Sequence, residues 1–107
     1  MDWIYDYRSI YSNNENGELI AEVTFDYKND DIINIEHTYV NPELRGKGIA
    51  GELIKTVLNY AREKGLKVTA SCSYANLWIK KNINEYRDTV SDDIYKQEVS
   101  CPIDENH

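Results

Sequence analysis

The segment "ELIAEVTFDYK" alternates: Leu19, Ala21, Val23, Phe25 and Tyr27 fall on one face, Ile20, Glu22, Thr24 and Asp26 on the other. A period of two with one apolar side predicts an antiparallel strand that keeps its second face wet. Ahead of it, "NNENG" supplies a turn with Gly17 free to take positive φ, and Tyr5 to Tyr11 forms a weaker strand candidate. "KNDD" turns the chain into "IINIEHTYV", a third strand. Alternation there puts Ile33, Ile35, His37 and Tyr39 on one face and Asn34, Glu36, Thr38 and Val40 on the other. Asn41-Pro42 ends it, because proline offers no N–H to a ladder.

From Ile49 the period becomes 3.6. Ala50, Leu53, Ile54, Val57, Leu58 and Ala61 make one stripe, with Glu52, Lys55, Asn59, Arg62 and Glu63 outside it, and Gly65 stands where a helix stops. "LKVTAS" predicts another strand with Leu66, Val68 and Ala70 inward, and "CSYANLWIKKN" a short helix through Ala75, Trp78 and Ile79. Strand, helix, strand predicts a right-handed parallel βαβ crossover. The expected fold class is therefore α+β: a mixed, mostly antiparallel sheet of about four to five strands with one parallel βαβ crossover. Beyond Asn82 the pattern fits a short helix or an edge strand, and the tail from about residue 99 reads as disordered. The 107 residues hold no repeat or linker and suffice for one core, so residues 1–107 are expected to form a single domain.

Charge sharpens this picture. The total of −7 argues against general nucleic-acid binding, which needs many unopposed cations. The charge is also segregated. Residues 45 to 81 carry eight basic and two acidic side chains, a local +6; the rest carries four basic and 17 acidic, −13, and the two parts sum to −7. The acidic start "MDWIYDYRSIYS" lacks an apolar signal region, and nowhere do about 18 apolar residues run together, so no membrane partner is expected. Cys72 and Cys101 have neither CxxC spacing nor a histidine cluster nearby, so no metal site or disulfide framework is suggested, and a cytoplasmic location fits best. Of nine tyrosines and two tryptophans, most read as core and rim, with Tyr7, Tyr27 and Trp78 on apolar faces.

The basic island begins where strand passes to helix, at "LRGKGIAGELIK". The first amides of a helix lack partners and its dipole leaves partial positive charge there, which stabilises an anion by about 0.3–1 kcal/mol. Gly46 and Gly48 remove side chains that would hold a phosphate away, while Arg45 and Lys47 add full charges. On spacing alone a flexible turn with solvated lysines explains the same residues. No Ser or Thr follows the lysine, so this is not the G-x-x-x-x-G-K-[ST] phosphate loop, and Gly51 is not read as the third glycine of G-x-G-x-x-G.

Residues 37 to 82, "HTYVNPELRGKGIAGELIKTVLNYAREKGLKVTASCSYANLWIKKN", resemble the core of a GCN5-related N-acetyltransferase, in particular its small single-domain members with a cysteine after the second parallel strand. The pattern Q/R-x-x-G-x-G/A matches at Arg45, Gly46, Lys47, Gly48, Ile49 and Ala50. His37-Thr38-Tyr39-Val40 and Cys72-Ser73-Tyr74-Ala75 match the small subgroup at its spacing. The resemblance implies an acetyl-CoA-dependent N-acetyltransferase: the cofactor's pyrophosphate on the amides of residues 45 to 50, its pantetheine arm along the third strand near Tyr39 and Val40, and no metal. Lys80 and Lys81 either meet the outer phosphate of CoA or satisfy a helix dipole.

For chemistry, Cys72 is either a transient acyl acceptor or acid at a helix start, or a small buried hydrophobe. His37 is either a core histidine or, as its place in the subgroup implies, a base for the amine or an orienter of Cys72. Many larger members carry a tyrosine where this chain has Ile79 and an asparagine where it has Cys72, so their general acid does not transfer. The subgroup's His-Pro after the second helix is Asn82-Ile83 here. The acidic exterior suits a cationic amine acceptor, a small molecule or a protein lysine, and a monomer or weak dimer is expected. A CoA-binding or protein-interaction module without catalysis is the competing expectation.

Overall fold

The structure is a computed structural model that describes residues 2–96 and residue 99. Five strands lie in chain order in one sheet: β1 (Ile4–Tyr5), β2 (Ser9–Asn13), β3 (Leu19–Tyr27), β4 (Ile32–Val40) and β5 (Lys67–Ala70). The first four pair antiparallel and β4 pairs parallel with β5. The α+β class with one parallel crossover therefore holds. The strand candidate from Tyr5 to Tyr11 is split, because Asp6 N–H donates to the Ser9 carbonyl at 2.8 Å and turns the chain. Tyr7 sits in that turn at 70% exposure, stacked on Tyr27 at 5.6 Å, so it is not on an apolar face as expected.

Helix α1 (Ile49–Lys64) crosses from β4 to β5 and buries Leu53, Ile54, Val57, Leu58 and Ala61 against Val23, Phe25, Ile33 and Ile35. Each of the four larger side chains contributes about 1.5–3 kcal/mol on burial, which fixes the helix on the sheet. Its start therefore cannot drift from the end of β4. Helices α2 (Ser73–Lys81) and α3 (Ile83–Tyr86) follow. Val90 then makes a parallel bridge beside Val68, and a 3-10 turn at Asp92–Tyr95 buries Ile94. Of the two alternatives for the stretch beyond Asn82, the short helix is present, while Val90 makes an isolated bridge and no edge strand forms among the described residues. The expected disordered tail falls, apart from Val99, outside the described residues.

One irregularity controls the site. In the β3–β4 register Phe25 opposes Ile35 and Thr24 opposes His37, leaving Glu36 as an extra residue in β4. Such a bulge inverts the side-chain parity beyond it. Ile33 and Ile35 are buried as the alternation requires, but after the bulge Thr38 and Val40 occupy the helix-covered face. His37 and Tyr39 turn to the other face, opposite Thr24 and Glu22. The expected sharing of one face by Ile33, Ile35, His37 and Tyr39 is thus overturned.

The neighbour on the other side departs at the same point. β5 accompanies β4 only as far as the Ile35–Ala70 pair, after which Ser71 and Cys72 N–H groups both donate to the Ile35 carbonyl, at 3.0 and 3.1 Å.

Candidate active site

The loop between β4 and α1 is held at its start. Asn41 N–H donates to Ile20 O at 2.7 Å, and its side chain accepts from Glu43 N–H at 3.0 Å, capping the 3-10 turn Pro42–Leu44. Arg45 is extended and its Nε donates to the Val40 carbonyl at 3.1 Å, tying the loop to the strand end. Gly46 and Gly48 follow at φ 85° and 78°. That region costs other residues roughly 1–2 kcal/mol. No atom lies within 4 Å of a Cβ built on either glycine, so backbone conformation, not crowding within the chain, demands glycine here.

Gly48 is the N-cap of α1, and no side chain caps this end. The first-turn amides therefore have no intrahelical partner and carry the positive end of the dipole. They border a cavity of about 70 Å³ at the end of β4. Six of the predicted cofactor residues line it: Val40, Arg45, Gly46, Gly48, Ile49 and Ala50, joined by Tyr74. Lys47 lines an adjoining open groove of about 490 Å³ between α1 and α2, which shares Gly48 and Tyr74 with the cavity and adds Gly51, Glu52, Lys55 and Trp78.

Two predicted cofactor residues lie elsewhere. Tyr39 is on the sheet face turned from α1, opposite Glu22. Lys80 has Nζ 5.8 Å from the centre of the Tyr95 ring and lines neither cavity nor groove.

Cys72 is 1% exposed, at the N-cap of α2. Its Sγ lies 3.7 Å from Thr38 Oγ1, so the bulge gives the thiol Thr38, not His37, as its neighbour on β4. His37 is exposed on the opposite face. The two predicted catalytic side chains are therefore separated by the thickness of the strand, which removes the expectation that His37 orients Cys72. Tyr74, half-buried, has its phenol pushed above the ordinary range, first by burial and then by the nearby Cys72. It stays protonated and can donate.

Tyr74, Trp78, Gly51, Lys55 and Thr38 were not singled out as site residues from the sequence. Signals for three of them existed. Tyr74 and Trp78 stand four apart on one helix face. Gly46, Gly48 and Gly51 have G-x-G-x-x-G spacing, whose third glycine permits close packing. Here it does so between helices, since a Cβ on Gly51 would lie 3.1 Å from Trp78 Nε1.

Comparison with known proteins bears on this geometry. The GCN5-related N-acetyltransferase family matches residues 9–89. Protein NATD1 of chicken and of human is 34% identical over 62 residues, 58% of this chain and 56% and 55% of theirs. The chain thus spans about half the length of the curated relatives it matches. A GCN5-like protein of Staphylococcus aureus, solved by NMR, superposes with a TM-score of 0.70 at 33% identity, covering 84% of this chain and 87% of that one. An aminoglycoside N-acetyltransferase solved with CoA has a TM-score of 0.50 at 20% identity, over 94% of this chain and 75% of that one, a likeness of fold alone.

Proposed function

The chain belongs to the GCN5-related N-acetyltransferase family, and on that premise we propose that it transfers an acetyl group from acetyl-CoA to a primary amine. The observation that carries the proposal is the uncapped start of α1, with Gly48 in the left-handed region beside a cavity at the end of β4. Anions are stabilised at such an end. In this reading the diphosphate of CoA lies on the amides of residues 45 to 50 beside Lys47. The pantetheine follows the edge of β4 that β5 leaves free after Ile35, and the thioester arrives near Val40, Thr38 and Cys72.

The reaction forms a C–N bond from the neutral amine as the C–S bond breaks, moves a proton from the amine nitrogen to a base, and returns a proton to the CoA thiolate. Tyr74, protonated and lining the cavity, is suited to the last step. His37 on the open face is suited to receive the amine proton, and Cys72 to act as acyl acceptor or acid. A cationic acceptor is supported by Glu22 on the sheet face turned from the helices, where Asp26 is already paired with Arg8 at 2.8 Å.

A second reading, a CoA-binding module without turnover, is favoured by one specific observation: Cys72 is buried and His37 faces away from it. Thermal melts and thiol release separate the two. Acetyl-CoA at a hundredfold excess over its Kd should stabilise either kind of binder by about 2.7 kcal/mol. Free-thiol release with a panel of amines identifies the enzyme. Binding with silence across the panel identifies the module, and absence of any thermal shift overturns both.

A further inference from the structure

We propose that the open face of the sheet selects a diamine or polyamine as acceptor: Glu22, between Tyr11 and Tyr39, holds one ammonium, and a second nitrogen one short alkyl chain away meets His37 and the thioester. The inference rests on the proposed transfer reaction and names the class of amine it takes.

The strand register assembles the site. Glu22 pairs with Tyr11 of β2 on one side and with Tyr39 of β4 on the other, so the three side chains stand in one row on the face turned from α1. Directly opposed side chains lie about 4.5–5.5 Å apart at Cβ, close enough for both phenol rings to border one carboxylate. All three residues are half-buried. Asp26 on this face is taken by Arg8 at 2.8 Å, whereas Glu22 has no hydrogen bond or ion pair among the described residues. A half-buried carboxylate without a cation, walled by two aromatic rings, suits an alkyl ammonium: the charge meets the carboxylate and the ring electrons, and the methylenes beside it meet apolar ring surface. The bulge at Glu36 is what brings Tyr39 into this row instead of to the helix-covered side of β4.

The next row places the chemistry. Thr24 pairs with His37, which makes His37 the diagonal neighbour of Glu22, about 7–8 Å away. β5 leaves β4 after Ile35, so the free edge proposed for the pantetheine is bordered by Thr38 and Val40 from the helix side and by His37 and Tyr39 from the open side. A nitrogen beside His37 therefore reaches the thioester from the open face, while a four-carbon chain, the length of a lysine stem, spans back to Glu22. A monoamine fills only one of the two positions. The free nitrogen, neutral, forms the C–N bond and passes its proton to His37; the C–S bond breaks and the CoA sulfur takes up a proton. The nitrogen held by Glu22 keeps its charge throughout, and the product is the monoacetylated diamine.

Steady-state thiol release with putrescine, butylamine, ethylenediamine, and lysine blocked at its α-amine and carboxylate tests this. For the wild type, kcat/KM with putrescine should exceed that with butylamine about tenfold, as expected for one charge-assisted contact. Ethylenediamine, too short to occupy both positions, should gain no such advantage. Glu22→Gln, which keeps the side-chain volume, should bring putrescine within about twofold of butylamine through KM, while Glu63→Gln, the same charge change on the exposed face of α1, should leave the preference intact. Tyr39→Leu should lower the preference severalfold. Turnover of butylamine with no preference for putrescine, a preference that Glu22→Gln retains, or blocked lysine used better than putrescine overturns the inference while the transferase stands. Silence across all four amines ends both.

Discussion

Helix α1 begins and ends on a glycine in the left-handed region, Gly48 at φ 78° and Gly65 at φ 72°, yet the two ends have opposite fates. At Gly65 the chain satisfies itself. The Gly65 N–H meets the Ala61 and Arg62 carbonyls, and Leu66 N–H donates to Ala61 O at 2.8 Å. Arg62 and Lys64 stand at the negative end of the dipole, and Arg62 also grips Asp88 through Nε and a terminal nitrogen at 2.6 and 2.8 Å. At Gly48 the helix opens without a side-chain cap, beside a cavity. A glycine's φ alone thus does not separate a structural stop from a ligand cradle. Where the terminal N–H and C=O groups go does separate them.

The contrast can be broken most decisively at the aromatic residues near each end. Tyr74→Phe, beside the first turn, should lower turnover about 10²-fold with KM little changed if its phenol protonates CoA. Tyr60→Phe, near Lys64 at the other end, should leave turnover as it is. Steady-state kinetics on both variants decides the point, and equal losses would erase the functional difference between the ends.

The glycines come next. Gly48→Val and Gly65→Val impose similar backbone strain, at least about 1–2 kcal/mol each, and should each lower Tm by several degrees. Only Gly48→Val should also weaken acetyl-CoA, by tenfold or more in calorimetry. With φ at 78° Gly48→Val strains the helix start as well, and Gly65→Val is the control that subtracts the strain. Unchanged affinity in a folded Gly48→Val would remove the diphosphate from this end.

The smallest effect is electrostatic. Asp88 is held below the ordinary carboxylate range, first by its hydrogen bond from Arg62. A depressed carboxylate contributes stability that is present above its unfolded pKa of about 3.9 and is lost as pH falls through the folded value. Acid melts below about pH 4 should show a modest decline in Tm that Asp88→Asn lacks, with acetyl-CoA affinity at neutral pH the same in both. A change in that affinity would mean the two ends are coupled.

Much of the fold was legible because its signals are local. The alternation of β3, the apolar stripe of α1 and the stop at Gly65 each depend on residues within a turn or two. The diphosphate loop was legible for the same reason, since positive φ at Gly46 and Gly48 and the charges beside them lie within a few positions. The catalytic half of the site was not. One extra residue, Glu36, inverts β4 and exchanges His37 for Thr38 beside the thiol. Nothing in "IINIEHTYV" announces it, because the bulge exists only relative to β3. Trp78 looked like core for a related reason: a half-buried aromatic face reads the same whether a groove or a packed sheet lies opposite.

The sequence by itself determined the element types, their order, the crossover and the anion-ready helix start, because periods of 2 and 3.6 and the dihedral freedom of glycine are properties of neighbouring residues. The tertiary structure decided which face of β4 meets the thiol and which lysines border the groove. Those outcomes depend on partners far along the chain, 34 residues in the case of Thr38 and Cys72, whose distances are set only when sheet and helices pack together.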